Sequence, residues 1–291
     1  MEEDVGAWRI RIKNFKIFSK HTQDTMSLLD FPQNFPALLN FITISDKRKT
    51  ILFLLKNGPK TFEELKDSLS TTAPALTPQL KKMINKGIIY KDRDIYTLTE
   101  KGEIIAMAFY KFARLLAVLE YDRKFWDEHM LSGIPLSFCL RLDELGNYRI
   151  IRSTPEDISR PHREFIRNLF KSKWIKGVSP IFYPDYPSIF VELCKKSDVS
   201  LVITEKIFKL LKKEFINELK EFIKYSELFV CNEDIKVAFA VTDVFLSLGL
   251  FLKSGEYDAL QDLISFDSSA IQWGKELFDY YKHKSKKIIK V

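Results

Sequence analysis

TFEELKDSLSTTAPALTPQLKKMINKGIIYKDRDIYTLTEKG, residues 61–102, decides the fold of the N-terminal part of the chain. Thr61 precedes FEELKDSL, with Glu64 three residues on. In that arrangement the hydroxyl accepts from a first-turn amide and the carboxylate reaches back to the cap. Leu65 and Leu69 face inward. In the next segment Leu76, Leu80, Met83 and Ile84 recur at helical spacing and define one inner face, while Thr77, Lys81, Lys82 and Asn85 fall on the other. Pro78 predicts a kink or a late start, and Gly87 stops the helix as the residue just past its end. IIYKDRDIYTLT (88–99) then reads as two short strands around the tip Asp92-Arg93-Asp94.

Upstream, PALLNFITI (36–44) predicts a short apolar helix. Ser45 or Asp46 caps the next one, KRKTILFLLKN, which buries Ile51, Leu52, Leu54 and Leu55 and ends at Gly58-Pro59. After that first short helix the order is helix, helix, helix, strand, tip, strand, which is that of a winged helix-turn-helix, and the domain is read as 35–100. Residues 1–34 form an N-terminal extension. Its WRIRIKNFKIF (8–18) mixes basic and apolar residues without a period, which fits a loosely ordered extension or a basic arm, and Met26 is an alternative translation start. Downstream, Ile105, Ala108, Phe112, Leu115 and Leu119 recur every three or four residues. That stripe makes 101–130 a linker and dimerisation helix for a homodimer, with packing on its own domain as the alternative.

The phrases GPKTFEEL, LKKMINKGII and YTLTEKG resemble the winged helix-turn-helix proteins of archaea and bacteria. In such folds the third helix enters the major groove and the wing tip touches the backbone. The resemblance implies that Thr72, Thr77, Gln79, Lys81 and Lys82 approach double-stranded DNA and that Arg93 reaches a phosphate. Lysines on phosphates supply affinity, and short polar side chains on base edges supply sequence choice. The acids Asp92 and Asp94 weigh against a wing that hugs DNA closely.

Beyond Ser132-Gly133, residues 131–291 change period. The segments 148–153, 174–182, 199–205, 226–232, 237–243 and 245–252 read as strands, with helices at 160–172, 187–196, 206–224 and 268–287. Strand alternating with helix predicts an α/β sheet, and the last three strands, lacking helices between them, make it mixed. SKWIKGVSPIFYPDYPSIF (172–190), VTDVFLSLGLFLKSGEYD (241–258) and DLISFDSSAIQWGKELFDYYK (262–282) resemble the effector domain of the archaeal regulators of methanogenesis and filament formation. The resemblance covers about 35–290 and implies transcription control, without naming an effector. The element order is also similar to half of a phospholipase D-like fold, as in archaeal sugar-sensing regulators.

The composition agrees with two domains in 291 residues. Hydrophobic residues make up 46%, and the 46 basic and 39 acidic residues leave a net charge of +7, which favours a polyanionic partner. Cys139, Cys194 and Cys231 lie far apart, as do the four histidines, so neither a disulfide framework nor a metal site is expected, and a reducing cytoplasm is. No signal peptide is visible. The apolar run 237–252, broken by Thr242 and Asp243, is too short to span a membrane. No histidine has lysine two residues on, which removes the phospholipase D reaction centre, and Gly-x-Gly, P-loop and HExxH patterns are missing. The chain therefore reads as no enzyme and as needing no cofactor. A hydrolase would require an unrecognised site, and a protein-docking winged helix stays open beside the DNA-binding one. A sensor domain needs a concave, partly apolar pocket. Trp174, Tyr183, Asp185 and Asp243 are the candidate contacts for a small-molecule effector, and Trp273 is a candidate wall.

Overall fold

The computed structural model describes residues 35–153 and 163–291, so the extension 1–34, with its candidate arm and alternative start, lies outside the described residues. The chain falls into two compact units, Met1–Ala113 and Arg114–Val291.

In the first unit, α1 (Phe35–Thr43) leads to α2 (Asp46–Lys56), whose N-cap Ser45 accepts from the Arg48 amide. A two-residue strand β1 (Lys60–Thr61) precedes α3 (Phe62–Ser68), and the expected capping box between Thr61 and Glu64 is formed. The third helix of the motif, α4, spans Ala73–Asn85 with Pro78 inside it, so the proline does not delay its start. Gly87 follows at φ +63°. Its amide donates to the Ile84 carbonyl at 2.8 Å, and the Ile88 amide donates to Met83 at 3.0 Å. That pair of bonds satisfies carbonyls left free by the helix end and needs a positive φ, which glycine adopts without strain. The wing is β2 (Ile89–Asp92) and β3 (Ile95–Leu98), with β1 completing an antiparallel sheet in the order β1-β3-β2.

Leu76, Leu80 and Met83 of α4 are buried with Ile51, Leu52, Leu55 and Leu65, each worth about 2 kcal/mol of apolar burial. Ile84 departs from expectation at 37% exposure. At 100° per residue it falls at the margin of the face centred on Leu76, Leu80 and Met83.

A 22-residue helix, α5 (Glu100–Tyr121), runs through the boundary between the units. Ile105 and Phe109 pack on the first unit's core, and Leu115, Val118 and Leu119 on the second's. Three of the five residues in the expected stripe are thus engaged within the chain. Ala108 and Phe112 stay exposed, joined by Ile104, Met107 and Leu116.

The second unit is built on one mixed nine-stranded sheet: β4 (His129–Met130), β5 (Tyr148–Arg152), β6 (Trp174–Ser179), β7 (Asp198–Thr204), β8 (Glu227–Cys231), β9 (Val237–Thr242), β10 (Leu246–Leu252), β11 (Tyr257–Ser265) and β12 (Lys286–Ile288). The order is β12-β8-β7-β6-β9-β10-β11-β5, with β4 beside the end of β10. Among the described residues, β6, β7 and β8 run parallel, joined by crossover helices, and the other pairings are antiparallel. The periodicity missed β4, β11 and β12. β11 mixes Asp258, Gln261 and Asp262 with apolar residues, and β12 is a short basic strand after the last helix. The helix expected at 206–224 is two, α10 (Glu205–Glu214) and α11 (Ile216–Tyr225), broken at Phe215, where φ is −133°.

Helices cover both faces of the sheet. On one side, α6 (Arg123–Glu128), α7 (Leu136–Cys139) and the last helix α12 (Ser268–His283) enclose a core centred on Trp273, Phe278 and Val241. On the other, α8 (Arg163–Leu169), α9 (Tyr186–Leu193), α10 and α11 pack over β6, β7 and β8. Among the described residues no helix is long and apolar enough to cross a membrane.

Candidate nucleic-acid interface and effector cavity

Helix α4 has no acidic residue. Lys81 and Lys82 project from it, exposed, and enter no ion pair among the described residues. Thr72 is its N-cap, exposed and without a side-chain capping bond. The Thr77 hydroxyl donates to the Ala73 carbonyl at 2.9 Å, a bond that holds the side chain against the helix. Gln79 is fixed from below: its Oε1 accepts from Arg48 at 2.8 Å, while Arg48 donates to the Phe41 carbonyl at 2.5 Å and stacks on the Phe41 ring at 4.3 Å. The carboxamide oxygen of Gln79 is therefore engaged, and its NH₂ points its donors elsewhere.

At the wing, Asp92 pairs with Ile95 in register, so the tip is the two-residue turn Arg93-Asp94. Arg93 sits there at φ +54°, exposed. Lys91 is 3.6 Å from Asp94, which leaves the arginine as the tip cation without an ion-pair partner among the described residues.

The second unit contains a cavity of about 120 Å³ on the α9–α11 side of the sheet. Its floor follows from strand register. Gly177 of β6 stands opposite Ala240 of β9, which stands opposite Ser247 of β10; in the adjacent row Ala238, Gly249 and Asp262 align across β9, β10 and β11. Small side chains at these crossing points leave a hollow that larger ones would fill. A Cβ on Gly249 would collide with the Tyr257 hydroxyl and lie 2.8 Å from Asp262 Oδ1.

Aromatic rings wall the hollow. Tyr183 meets Tyr186 at 5.1 Å and Tyr186 meets Phe190 at 5.5 Å, both edge to face, and Phe190 continues to Phe222 at 6.5 Å. The Tyr257 hydroxyl lies 3.4 Å from Asp262 Oδ1 and donates to it. Burial, reinforced by the negative charge of Asp258, pushes the Asp262 carboxyl up to about 6 against that hydrogen bond. Burial first, and the Asp262 charge with it, raises Tyr183, Tyr186 and Tyr257 above the ordinary phenol value, so all three remain neutral donors.

Of the residues expected around an effector, Tyr183 lines this cavity and the others stand elsewhere. Trp174 packs on the opposite face of the sheet, with Lys275 of α12 at 5.7 Å from its ring. Asp185 is exposed at the N-terminus of α9. Asp243 accepts from the Lys173 amide at 2.8 Å and so ties the β9–β10 turn to the start of β6. Trp273 is fully buried in the α12 core, its indole donating to the Phe138 carbonyl at 3.2 Å. Tyr186, within the run FYPDYP, also lines the cavity, as do Tyr257 and Asp262, which the sequence reading did not single out. The run FYPDYP marked the aromatic cluster, but nothing local marked the residues that reach it from β11.

Residues 37–120 match the model of the N-terminal domain of methanogenesis regulatory protein FilR1, and residues 158–284 match that of its middle domain. The methanogenesis regulatory protein FilR1 of Methanothrix harundinacea (strain 6Ac) is 30% identical over 251 residues, covering 84% of this chain and 56% of that protein. The chain thus spans just over half the length of that relative. Two solved structures resemble parts of the chain weakly. TrmBL2, described as an archaeal chromatin protein with a novel mode of DNA binding, is 15% identical with a TM-score of 0.40, over 83% of this chain and 93% of its own. Nuc, a phospholipase D family member from Salmonella typhimurium, is 15% identical with a TM-score of 0.39, over 50% of this chain and 99% of its own. At such scores neither likeness bears on function.

Proposed function

We propose, from the premise that this chain belongs to the FilR1 family of methanogenesis regulatory proteins, that it is a cytoplasmic transcriptional regulator that binds double-stranded DNA. The first unit reads the operator and the second senses a small effector. The observation that carries the DNA reading is α4. It is a helix without acids that exposes two lysines free of ion pairs, seated in a three-helix and hairpin frame with Arg93 at the hairpin tip. Lys81, Lys82 and Arg93 are assigned to phosphates, and Thr72, Thr77 and the amide donors of Gln79 to base edges. The cavity lined by Tyr183, Tyr186, Tyr257 and Asp262 is assigned to the effector, which shifts operator affinity to the extent that it prefers one conformation.

The regulator acts as a homodimer reading two half-sites. Support comes from the exposed apolar residues of α5: Ile104, Met107, Phe112 and Leu116 are between 49% and 71% exposed, an arrangement that costs solubility unless covered. In sedimentation, Phe112→Glu with Leu116→Glu should convert a dimer to a monomer with weakened operator binding. A monomeric parent protein would defeat the dimer.

The primary test is fluorescence anisotropy of the full chain on DNA from its own upstream region, beside a scrambled duplex, across a salt series. Tighter binding to the upstream DNA with a steep salt dependence supports a specific regulator. Salt-independent or absent binding to both would reject the interface on α4.

A further inference from the structure

We propose that the cavity of the second unit binds a small organic cation, an alkylammonium compound, as its effector. This rests on the effector-cavity reading above and names the ligand class. Size sets the first limit. A cavity of about 120 Å³ is of the order of an engineered one of roughly 150 Å³ that holds benzene, so the ligand has roughly six or seven non-hydrogen atoms.

The walls set the second. Tyr183, Tyr186, Phe190 and Phe222 form a continuous chain of rings with successive centroids 5.1, 5.5 and 6.5 Å apart. Ring faces are negative, and aromatic rings that line a cavity attract ammonium groups whose charge is spread over methyl carbons.

Charge decides the sign. The ionisable groups lining the cavity are the carboxyls Asp262 and Glu218 and the phenols Tyr183, Tyr186 and Tyr257; its described lining holds no lysine, arginine or histidine. Some acidic side chains elsewhere in the same unit do have lysine partners: Glu221 pairs with Lys195 at 3.5 Å, and Glu227 with Lys287 at 2.6 Å. Asp262 has instead the Tyr257 hydroxyl, and neither it nor Glu218 has a basic partner among the described residues. A carboxylate in an aromatic pocket without a cation is costly, and a bound ammonium relieves that cost. An anionic ligand would meet two carboxylates and no counter-charge, and a neutral apolar one would leave both unpaired.

The test is calorimetric titration of the full chain with three probes of matched shape: choline, its neutral carbon isostere neopentyl carbinol, and the anion tert-butylacetate. Choline should bind at least about tenfold more tightly than the carbinol, and tert-butylacetate should not bind. Asp262→Asn should abolish the preference for choline with an unchanged circular dichroism spectrum, and Glu218→Gln, at a more exposed position on α11, should reduce it if the first variant fails to fold. Carbinol binding as tightly as choline, or preferred binding of tert-butylacetate, overturns the cation while leaving a ligand cavity in place. Binding of none of the three overturns both.

Discussion

Replacing Lys81 and Lys82 together by alanine tests the DNA interface directly. Both side chains are exposed on α4 and enter no ion pair among the described residues. Their removal leaves no charge stranded, and alanine is a better helix former, so the fold should keep its stability. Each lysine that neutralises a phosphate releases about 0.9 of a counterion, so losing two lowers the slope of log K against log salt by about 1.8. Referred to molar salt, the same contacts amount to a loss of about sixtyfold at 0.1 M and about twentyfold at 0.2 M. The loss should be equal on upstream and scrambled DNA, because phosphates carry no sequence information. Anisotropy titrations of parent and variant over a salt series read both quantities. An unchanged slope, or a loss confined to the upstream sequence, would refute the assignment of these lysines to phosphates.

Two further substitutions test the fold. His129 is buried, with Nδ1 2.6 Å from the Phe125 carbonyl and Nε2 3.1 Å from Asp258; two acceptors are both met only by the doubly protonated ring. Burial pulls its pKa down, but Asp258 of β11, the Phe125 carbonyl and the neighbouring charge of Glu128 outweigh it and hold the ring above its ordinary 6.5. The stability it contributes is therefore full below pH 6.5 and lost as pH rises through the folded value, by up to about 1.4 kcal/mol per pH unit. Urea unfolding should show this decline in the parent and a flatter profile in His129→Gln; equal profiles would contradict the charged ring. Gly87→Ala should cost about 1 kcal/mol through its positive φ alone, since a Cβ there meets nothing within 4 Å. A melting temperature unchanged by that substitution would show that the helix end relaxes.

Most of the first unit was legible because its signals are local. The capping box at Thr61 and Glu64, the spacing of Leu76, Leu80 and Met83, and the Gly87 stop each depend on residues within one or two turns, and all stand as read. Ile84 was misplaced because spacing alone does not say how wide the covered stripe is. In α5 the stripe was visible, but which core would take each residue was not: Ile105 joins one core and Leu115 the other.

In the second unit the alternation of strands and helices identified a mixed sheet, yet β11 escaped because its polar residues break the period of two. The cavity depends on that strand. Gly177, Ala238, Ala240 and Gly249 read as small residues in apolar strands, which says nothing about a hollow until register lays them side by side. Asp262 is an ordinary carboxyl in the sequence. Strand pairing sets it opposite Gly249, and burial beside Tyr257 then raises its pKa to about 6. The sequence alone therefore determined the winged helix, its exposed lysines and the class of the second domain, all of which follow from short-range periodicity and capping. The tertiary structure decided where the cavity lies and which charges line it, because a cavity is a product of contacts between strands far apart in the chain.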